Sequence, residues 1–243
     1  MEAILQKLVM PDNAAIQEGT AELKEAFKQP NAIPMLCQVL TGSGTPQVRQ
    51  YSALLLRKKL GKQKTWRNLT AEDQQTLKNG TLNTLTVEPD KQVQHAIVQL
   101  IAVLAKHELP KNAWPELIPL VDQCFQSEEP GRKSLAMFMA SALCESAPEV
   151  IKNSYLTGFC KLFNKALTNT TDPDIGVYAT QAMTNLVPVI GSEELRLFQP
   201  LVGIVTVFIG RLIEAGEEEK ATTAMEVILY HLHTYYLLQL FFD

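Results

Sequence analysis

The chain has 243 residues, 46% of them hydrophobic and 20% charged, with a formal net charge of −4 at pH 7. This composition is that of a folded protein with a sizeable core, and its acidic balance excludes a general nucleic-acid binder, which carries a basic surplus. The four cysteines lack CxxC spacing, and the chain opens with no secretory signal, so reduced thiols in a soluble, intracellular protein are expected.

Five segments of helical period follow one another along the chain, and a proline stands shortly before each apolar pattern. These prolines are Pro11, Pro46, Pro89, Pro130 and Pro173. Proline is tolerated in the first turn of a helix and disfavoured in its interior. Within each segment, small or apolar residues recur at offsets of 0, 4, 7 and in most cases 11, which predicts one buried stripe per helix. The stripes begin at Ile16, Val48, Val93, Leu135 and Ile175.

A second helical pattern precedes most of these segments. The preceding patterns are residues 31–40, 71–87, 113–125, 155–167 and 198–215. After the first step, the stripes begin 45, 42 and 40 residues apart, and two helices per period of this length are typical of HEAT and armadillo repeats. The predicted fold is therefore all-α, a HEAT-repeat right-handed solenoid of about six antiparallel helix pairs, with almost no strand.

We expect the repeat array to fill residues 1–227. Its repeats are placed at about 1–29, 31–63, 65–108, 111–146, 148–189 and from about 192. The last segment, 228–243, holds three of the six tyrosines and a single formal charge, Asp243. Such a segment is apolar on nearly every face of a helix, whereas the end of a solenoid needs a polar outer face. This predicts a truncated or alternatively spliced product. The alternatives are a genuine capping helix and a membrane anchor, for which the run is short.

Two stretches of the sequence resemble a known family. They are PQVRQYSALLLRKKL at 46–60, followed by Trp66, and NAWPELIPLV at 112–121. The first is similar to the N-terminal repeats of the importin-β family of nuclear transport receptors, and the second resembles the start of an A helix in a later repeat. The similarity extends from about residue 1 to residue 227.

The resemblance implies a carrier without catalytic chemistry that shuttles between cytoplasm and nucleus. Such receptors bind protein cargo, cross the pore by contacting the phenylalanine-glycine repeats of nucleoporins in grooves between outer A helices, and release cargo when Ran-GTP binds. The implied cargo is a basic protein such as a histone or a ribosomal protein, and its site involves repeats beyond the sixth. No direct contact with nucleic acid or membrane is implied.

In this family the inner B helices of the N-terminal repeats carry part of the Ran-GTP contact. The resemblance assigns that role to segments 46–62, 90–107 and 130–146. Opposite the buried stripes, polar groups can make charge-assisted hydrogen bonds to a partner; a solvated helix face is the alternative for each of them. The candidate Ran-GTP contacts are Gln50, Arg57, Lys58, His95 and Gln99.

The stretch between Arg49 and Arg67 is rich in cations. Seven of the 22 cations lie between Arg49 and Arg67, and from Arg57 onward Trp66 is the one aromatic residue among them, so stacking on nucleic-acid bases is not expected. The macrodipole of a helix already favours cations at its C-terminal end. Trp66 and Trp114 are expected to be packing residues.

No phosphate-loop, dinucleotide, zinc-protease or serine-hydrolase motif is present, which predicts no enzyme, cofactor or metal site. The alternative function is a Ran-independent HEAT scaffold for protein assembly.

Overall fold

The computed structural model describes residues 1–129, 131–168, 172–226 and 228–229, and regular structure in these ranges is helical throughout. This confirms the predicted all-α class for the described part of the chain. Shorter 3₁₀ turns lie at Leu109–Lys111 and Val187–Val189, and a π-helical turn at Ile151–Tyr155. The α-helices are α1 Glu2–Val9, α2 Asn13–Ala26, α3 Ala32–Gly42, α4 Pro46–Leu60, α5 Gln63–Arg67, α6 Ala71–Val87, α7 Lys91–Glu108, α8 Leu117–Gln126, α9 Arg132–Ser146, α10 Pro148–Val150, α11 Leu156–Thr168, α12 Pro173–Leu186 and α13 Ser192–Glu214. Residues 218–226 are helical as well.

The helices begin where the sequence supplies capping groups. The carboxylate of Asp90 accepts hydrogen bonds from the backbone N–H groups of the first turn of α7, and Asp172 does the same for α12. Pro46 and Pro173 occupy the first helical position of α4 and α12, where the missing proline N–H costs no hydrogen bond. Local sequence therefore sets these helix starts.

Residues 1–114 form one compact unit with its own core. Helix α4 packs against α3 and α7, while α6 packs against α3 and α7. The hydroxyl of Ser52 on α4 donates to the carbonyl of Leu36 on α3 at 2.7 Å, so this buried polar group is satisfied. Trp66 and Trp114 are fully buried, which confirms their prediction as packing residues.

Residues 115–243 form the second compact unit. In its described part, α9 packs against α8 and α12, and α11 packs against α12 and α13. Helices α12 and α13 approach closely at Gly176, where a Cβ atom would lie 2.3 Å from Cζ of Phe208. Only a glycine hydrogen leaves room for the phenyl ring at this point.

The predicted stripes are buried in α7, α9 and α12, from Val93, Leu135 and Ile175 onward. In α2 the prediction is confirmed for Leu23, which is buried, and wrong for Thr20, which is exposed while Gly19 is buried instead. The reason is the short helix α1, which packs on α2 so closely that a Cβ at Gly19 would lie 3.2 Å from the Ile4 carbonyl oxygen. The contact face of α2 is therefore rotated by about one residue from the face that periodicity indicates.

Helix α13 is long and apolar enough, by length and composition alone, to span a membrane. Core helices of globular proteins share this property, and α13 buries Phe198, Val205 and Leu212 in the second unit. The prediction about segment 228–243 bears on residues that, apart from Ile228 and Leu229, lie outside the described part of the chain.

All four cysteines are free and buried. Burial raises the pKa of Cys37 and of Cys160 to about 11, raises the pKa of Cys124, and holds that of Cys144 well above its usual value. These thiols are therefore protonated at neutral pH and behave as small core residues.

Candidate protein-binding surface

The candidate surface is built on α4 and α7, two helices of the first unit that pack side by side. One face of α4 is buried through residues that include Val48, Ser52 and Leu56. One face of α7 is buried through Val93 and Ile97. The opposite faces of both helices are polar and at least partly exposed. Packing thus fixes the position of a polar strip across two neighbouring helices.

The five predicted contact residues lie on this strip. Gln50 is half-buried, whereas Arg57 and Lys58 are exposed on α4; on α7, His95 is exposed and Gln99 is half-buried. Gln50 and Arg57 are seven residues apart, and His95 and Gln99 four, so each pair shares one face of its helix.

The structure brings Arg57 and Gln99 together, although 42 residues separate them. Nη1 of the Arg57 guanidinium donates a hydrogen bond to Oε1 of Gln99 across the α4–α7 boundary. The contact holds the arginine over the strip and leaves its other N–H groups for a partner. Periodicity placed each residue on a polar face but could not pair them, because pairing depends on how two distant helices align.

The surroundings of His95 shift the pKa of its imidazole. Partial burial lowers its pKa, and the nearby Lys91 ammonium lowers it further. The neutral imidazole therefore predominates at physiological pH, where it can both donate and accept a hydrogen bond.

Two neighbouring cations, Arg49 and Lys59, make contacts within the fold. Arg49 forms a bidentate ion pair with Glu88, with Nε–Oε2 and Nη2–Oε1 distances of 2.8 and 2.7 Å, and its third nitrogen donates to the Ser43 carbonyl at 2.9 Å. Nζ of Lys59 lies 3.7 Å from the centroid of the Phe27 ring. Neither side chain is available to a partner without losing these contacts.

The first unit also contains a buried polar cluster that the sequence does not predict. Glu108, at the end of α7, accepts hydrogen bonds from Nε1 of Trp66 at 2.9 Å and from Nζ of Lys111 at 2.9 Å, and pairs with Lys78 at 3.3 Å. The Trp66 ring also stacks on His107, with 6.2 Å between ring centroids. Its members come from α5, α6, α7 and the 3₁₀ turn that follows α7, so no local spacing in the sequence predicts the cluster.

The second unit carries a cleft between α8 and α11. The cleft has a volume of about 380 Å³, and the π-helical turn Ile151–Tyr155 forms part of its wall. Val121, Phe159 and Leu162 supply apolar surface, while polar groups such as Asp122 line other parts of it. A cleft of this size, lined by both apolar and polar groups, can accept a small side chain or ligand.

Comparison with known families gives two matches that follow one another along the chain. A family model described as "Importin-beta N-terminal domain" matches residues 20–87, which include all of α4. A second, described as "IPO5-like, TPR repeats", matches residues 89–235 and includes all of α7. That match continues to residue 235, into the segment 228–243 whose apolar composition is atypical of a solenoid end.

Curated relatives match between two thirds and nearly all of the chain but are much longer. Importin-4 of Homo sapiens is 28% identical over 228 residues, which cover 94% of this chain and 21% of that protein. The probable importin subunit beta-4 of Schizosaccharomyces pombe is 28% identical over 162 residues, 66% of this chain and 15% of that protein. The chain thus spans about a fifth or less of the length of these relatives.

Solved structures confirm the repeat fold. The crystal structure of Kap121p superposes with a TM-score of 0.78 at 18% identity, over 93% of this chain and 22% of that one. Kap121p bound to RanGTP gives a TM-score of 0.74 at 19% identity, over 93% of this chain and 21% of that one. The predicted helical-repeat fold is therefore shown by structural similarity as well as by sequence.

Proposed function

Because the chain belongs to the importin-β family of nuclear transport receptors, a non-enzymatic family, we propose that it acts in nuclear import by binding Ran-GTP through the strip on α4 and α7. The observation that carries this proposal is the match of the importin-β N-terminal domain to residues 20–87, which contain Gln50, Arg57 and Lys58. Kap121p, of similar fold, has been crystallised with RanGTP. The contact between Arg57 and Gln99 supports a preformed site.

Ran loaded with GTP or GDP tests this function. Immobilised 243-residue chain is expected to capture the GTP form selectively, and Arg57→Ala is expected to weaken that capture about tenfold, a typical cost for a central interface arginine. Lys24→Ala, which removes an exposed cation from α2, serves as the matched control. Equal capture of both nucleotide forms, or of neither, contradicts the proposal and favours the Ran-independent scaffold.

The cleft between α8 and α11 supports contact with the pore as part of the same function. Its apolar surface and volume suit the phenylalanine side chains of nucleoporin repeats, and Kap121p has been crystallised with Nup53p. An added side chain at Gly158, which lines the cleft, meets no atom within 4 Å of its Cβ. Gly158→Leu is therefore expected to fill the cleft and to weaken binding of a phenylalanine-glycine peptide roughly tenfold.

Gly203→Leu is the matched control, because its Cβ also meets no atom within 4 Å and it lies on α13, outside the cleft. A serine-glycine peptide provides the control ligand. Undiminished phenylalanine-glycine binding by Gly158→Leu would place the pore contact elsewhere. We assign cargo of basic protein character, such as histones or ribosomal proteins, and residence in both cytoplasm and nucleus, on the same family membership.

A further inference from the structure

We propose that a group of four exposed cations beside the strip is a docking surface for a short acidic peptide segment. This basic cluster consists of Lys58, Lys62, Lys64 and Arg67, at the end of α4 and on α5. Three of the four lie outside the proposed Ran-GTP contacts, so the two surfaces can be separated by mutation.

The first observation is the segregation of charge along the chain. Residues 26–71 contain eight lysines and arginines and no aspartate or glutamate. The other 197 residues hold 14 cations and 26 anions, a net charge of −12. An acidic protein therefore carries one stretch of sequence with a net charge of +8, and the cations of that stretch that are exposed and unpaired produce a local positive potential.

The second observation is that the four cations of the basic cluster form no ion pairs within the described part of the fold. Arg49 forms an ion pair with Glu88, and Lys59 forms a cation–π contact with the Phe27 ring. The side chains of the basic cluster are exposed and form no ion pair with any residue in the described ranges. Four neighbouring charges without a counter-charge repel one another, and an anionic partner relieves that repulsion.

The third observation is the rigid support beneath α5. Trp66 is fully buried, its Nε1 donates to Glu108 at 2.9 Å, and its carbonyl accepts from Nε2 of Gln74 at 2.9 Å. Lys64 and Arg67 are three residues apart and so share a face of the helix, while Trp66 is directed into the core. A short helix anchored in this way presents its cations at little entropic cost to binding.

The surroundings favour an acidic peptide over nucleic acid or an anionic membrane. Trp66, the aromatic residue between Lys58 and Arg67, is completely buried, so base stacking is not available within the basic cluster. A long polyanion or an anionic membrane extends over the rest of the protein, whose net charge of −12 repels it. A peptide of a few residues interacts only with charges within a screening length of about 8 Å. The partner class is therefore a short segment rich in glutamate or aspartate.

Fluorescence anisotropy with the 243-residue chain tests the surface. The probe is a fluorescein-labelled peptide in which glutamate alternates with glycine, and its glutamine-glycine counterpart is the uncharged control. We expect binding of the acidic probe that weakens with added salt. The triple variant K62Q/K64Q/R67Q is expected to weaken it at least tenfold, while the equal charge change K106Q/K161Q/K165Q, at exposed lysines elsewhere, alters it less than threefold.

The outcomes separate this proposal from Ran binding. The triple variant retains Gln50, Arg57, Lys58, His95 and Gln99, so its capture of Ran-GTP is expected to be unchanged, and circular dichroism checks that it is folded. Equal losses in both triple variants would overturn the proposal, as would absence of binding by the acidic probe. Tighter binding of an oligothymidine or of phosphatidylserine vesicles through the same three residues would also overturn it and identify a different partner.

Discussion

Arg49 shows how a single cation can belong to the fold rather than to a binding surface. Its guanidinium joins the start of α4 to Glu88 at the end of α6, and the Glu88 side chain is only 2% exposed. Glu88 also accepts from the backbone N–H of Asp90, the capping residue of α7. One ion pair therefore ties together three helix ends.

Arg49→Met is expected to destabilise the protein by about 3 kcal/mol, because it leaves the buried Glu88 carboxylate without its counter-charge. Urea unfolding followed by circular dichroism measures the change as a lower midpoint at constant slope. Lys64→Met, at an exposed cation, should change stability by less than about 0.5 kcal/mol. The double variant Arg49→Met with Glu88→Met should recover part of the loss; a full loss in the double variant would show that the charge is not the cause.

Glu108 makes stability depend on pH in the acid range. Burial alone raises the pKa of Glu108, but hydrogen bonds from Trp66, Lys111 and Lys78 outweigh burial and hold it below its ordinary value of 4.5. A carboxyl group with a lowered pKa in the folded state contributes stability above its unfolded pKa and loses it as pH falls toward the folded value. Urea midpoints of Glu108→Gln should therefore lie below those of the original chain at pH 7 and converge with them below about pH 4. A constant difference across this range would contradict the assignment.

At the scale of secondary-structure elements, the crossing of α12 and α13 depends on one glycine. A Cβ at Gly176 would lie 2.3 Å from Phe208, which is itself only 5% exposed. Gly176→Ala is expected to cost about 1–2 kcal/mol in urea unfolding, because overpacking outweighs the gain of about 1 kcal/mol in helix propensity. The control Gly203→Ala, on α13 with open space around its Cβ, should be stabilising instead. Adding Phe208→Leu to Gly176→Ala should relieve the clash.

Most helices could be predicted from the sequence, because their starts and faces are local properties. Pro46, Pro173 and the offsets from Val93 predicted α4, α12 and the buried face of α7 correctly. Thr20 was misplaced because the packing of α1 on Gly19 is a tertiary contact that periodicity does not contain. The same limit applies to the candidate site: each residue of the Arg57–Gln99 pair was predicted to lie on a polar face, but their contact joins helices 42 residues apart.

At the scale of the whole molecule, each of the two compact units has its own buried core. Repeat proteins are stabilised mainly by contacts between neighbouring repeats. Leu56→Ala, at a fully buried position of α4, is expected to cost about 2–5 kcal/mol. Hydrogen exchange should accelerate within residues 32–108 far more than within residues 132–186. Met139→Ala on α9 should show the reverse pattern, and uniform acceleration in both variants would indicate one cooperative unit.

The buried thiols can report which part of the molecule unfolds locally. An alkylating reagent reaches a sulfhydryl only when the surrounding core opens, and the raised pKa values of Cys37 and Cys160 keep these thiols unreactive until then. Cys37 belongs to residues 1–114, while Cys124, Cys144 and Cys160 belong to residues 115–243. After a brief alkylation pulse, the intact mass therefore distinguishes one adduct from three, and so reports which part of the chain came apart first.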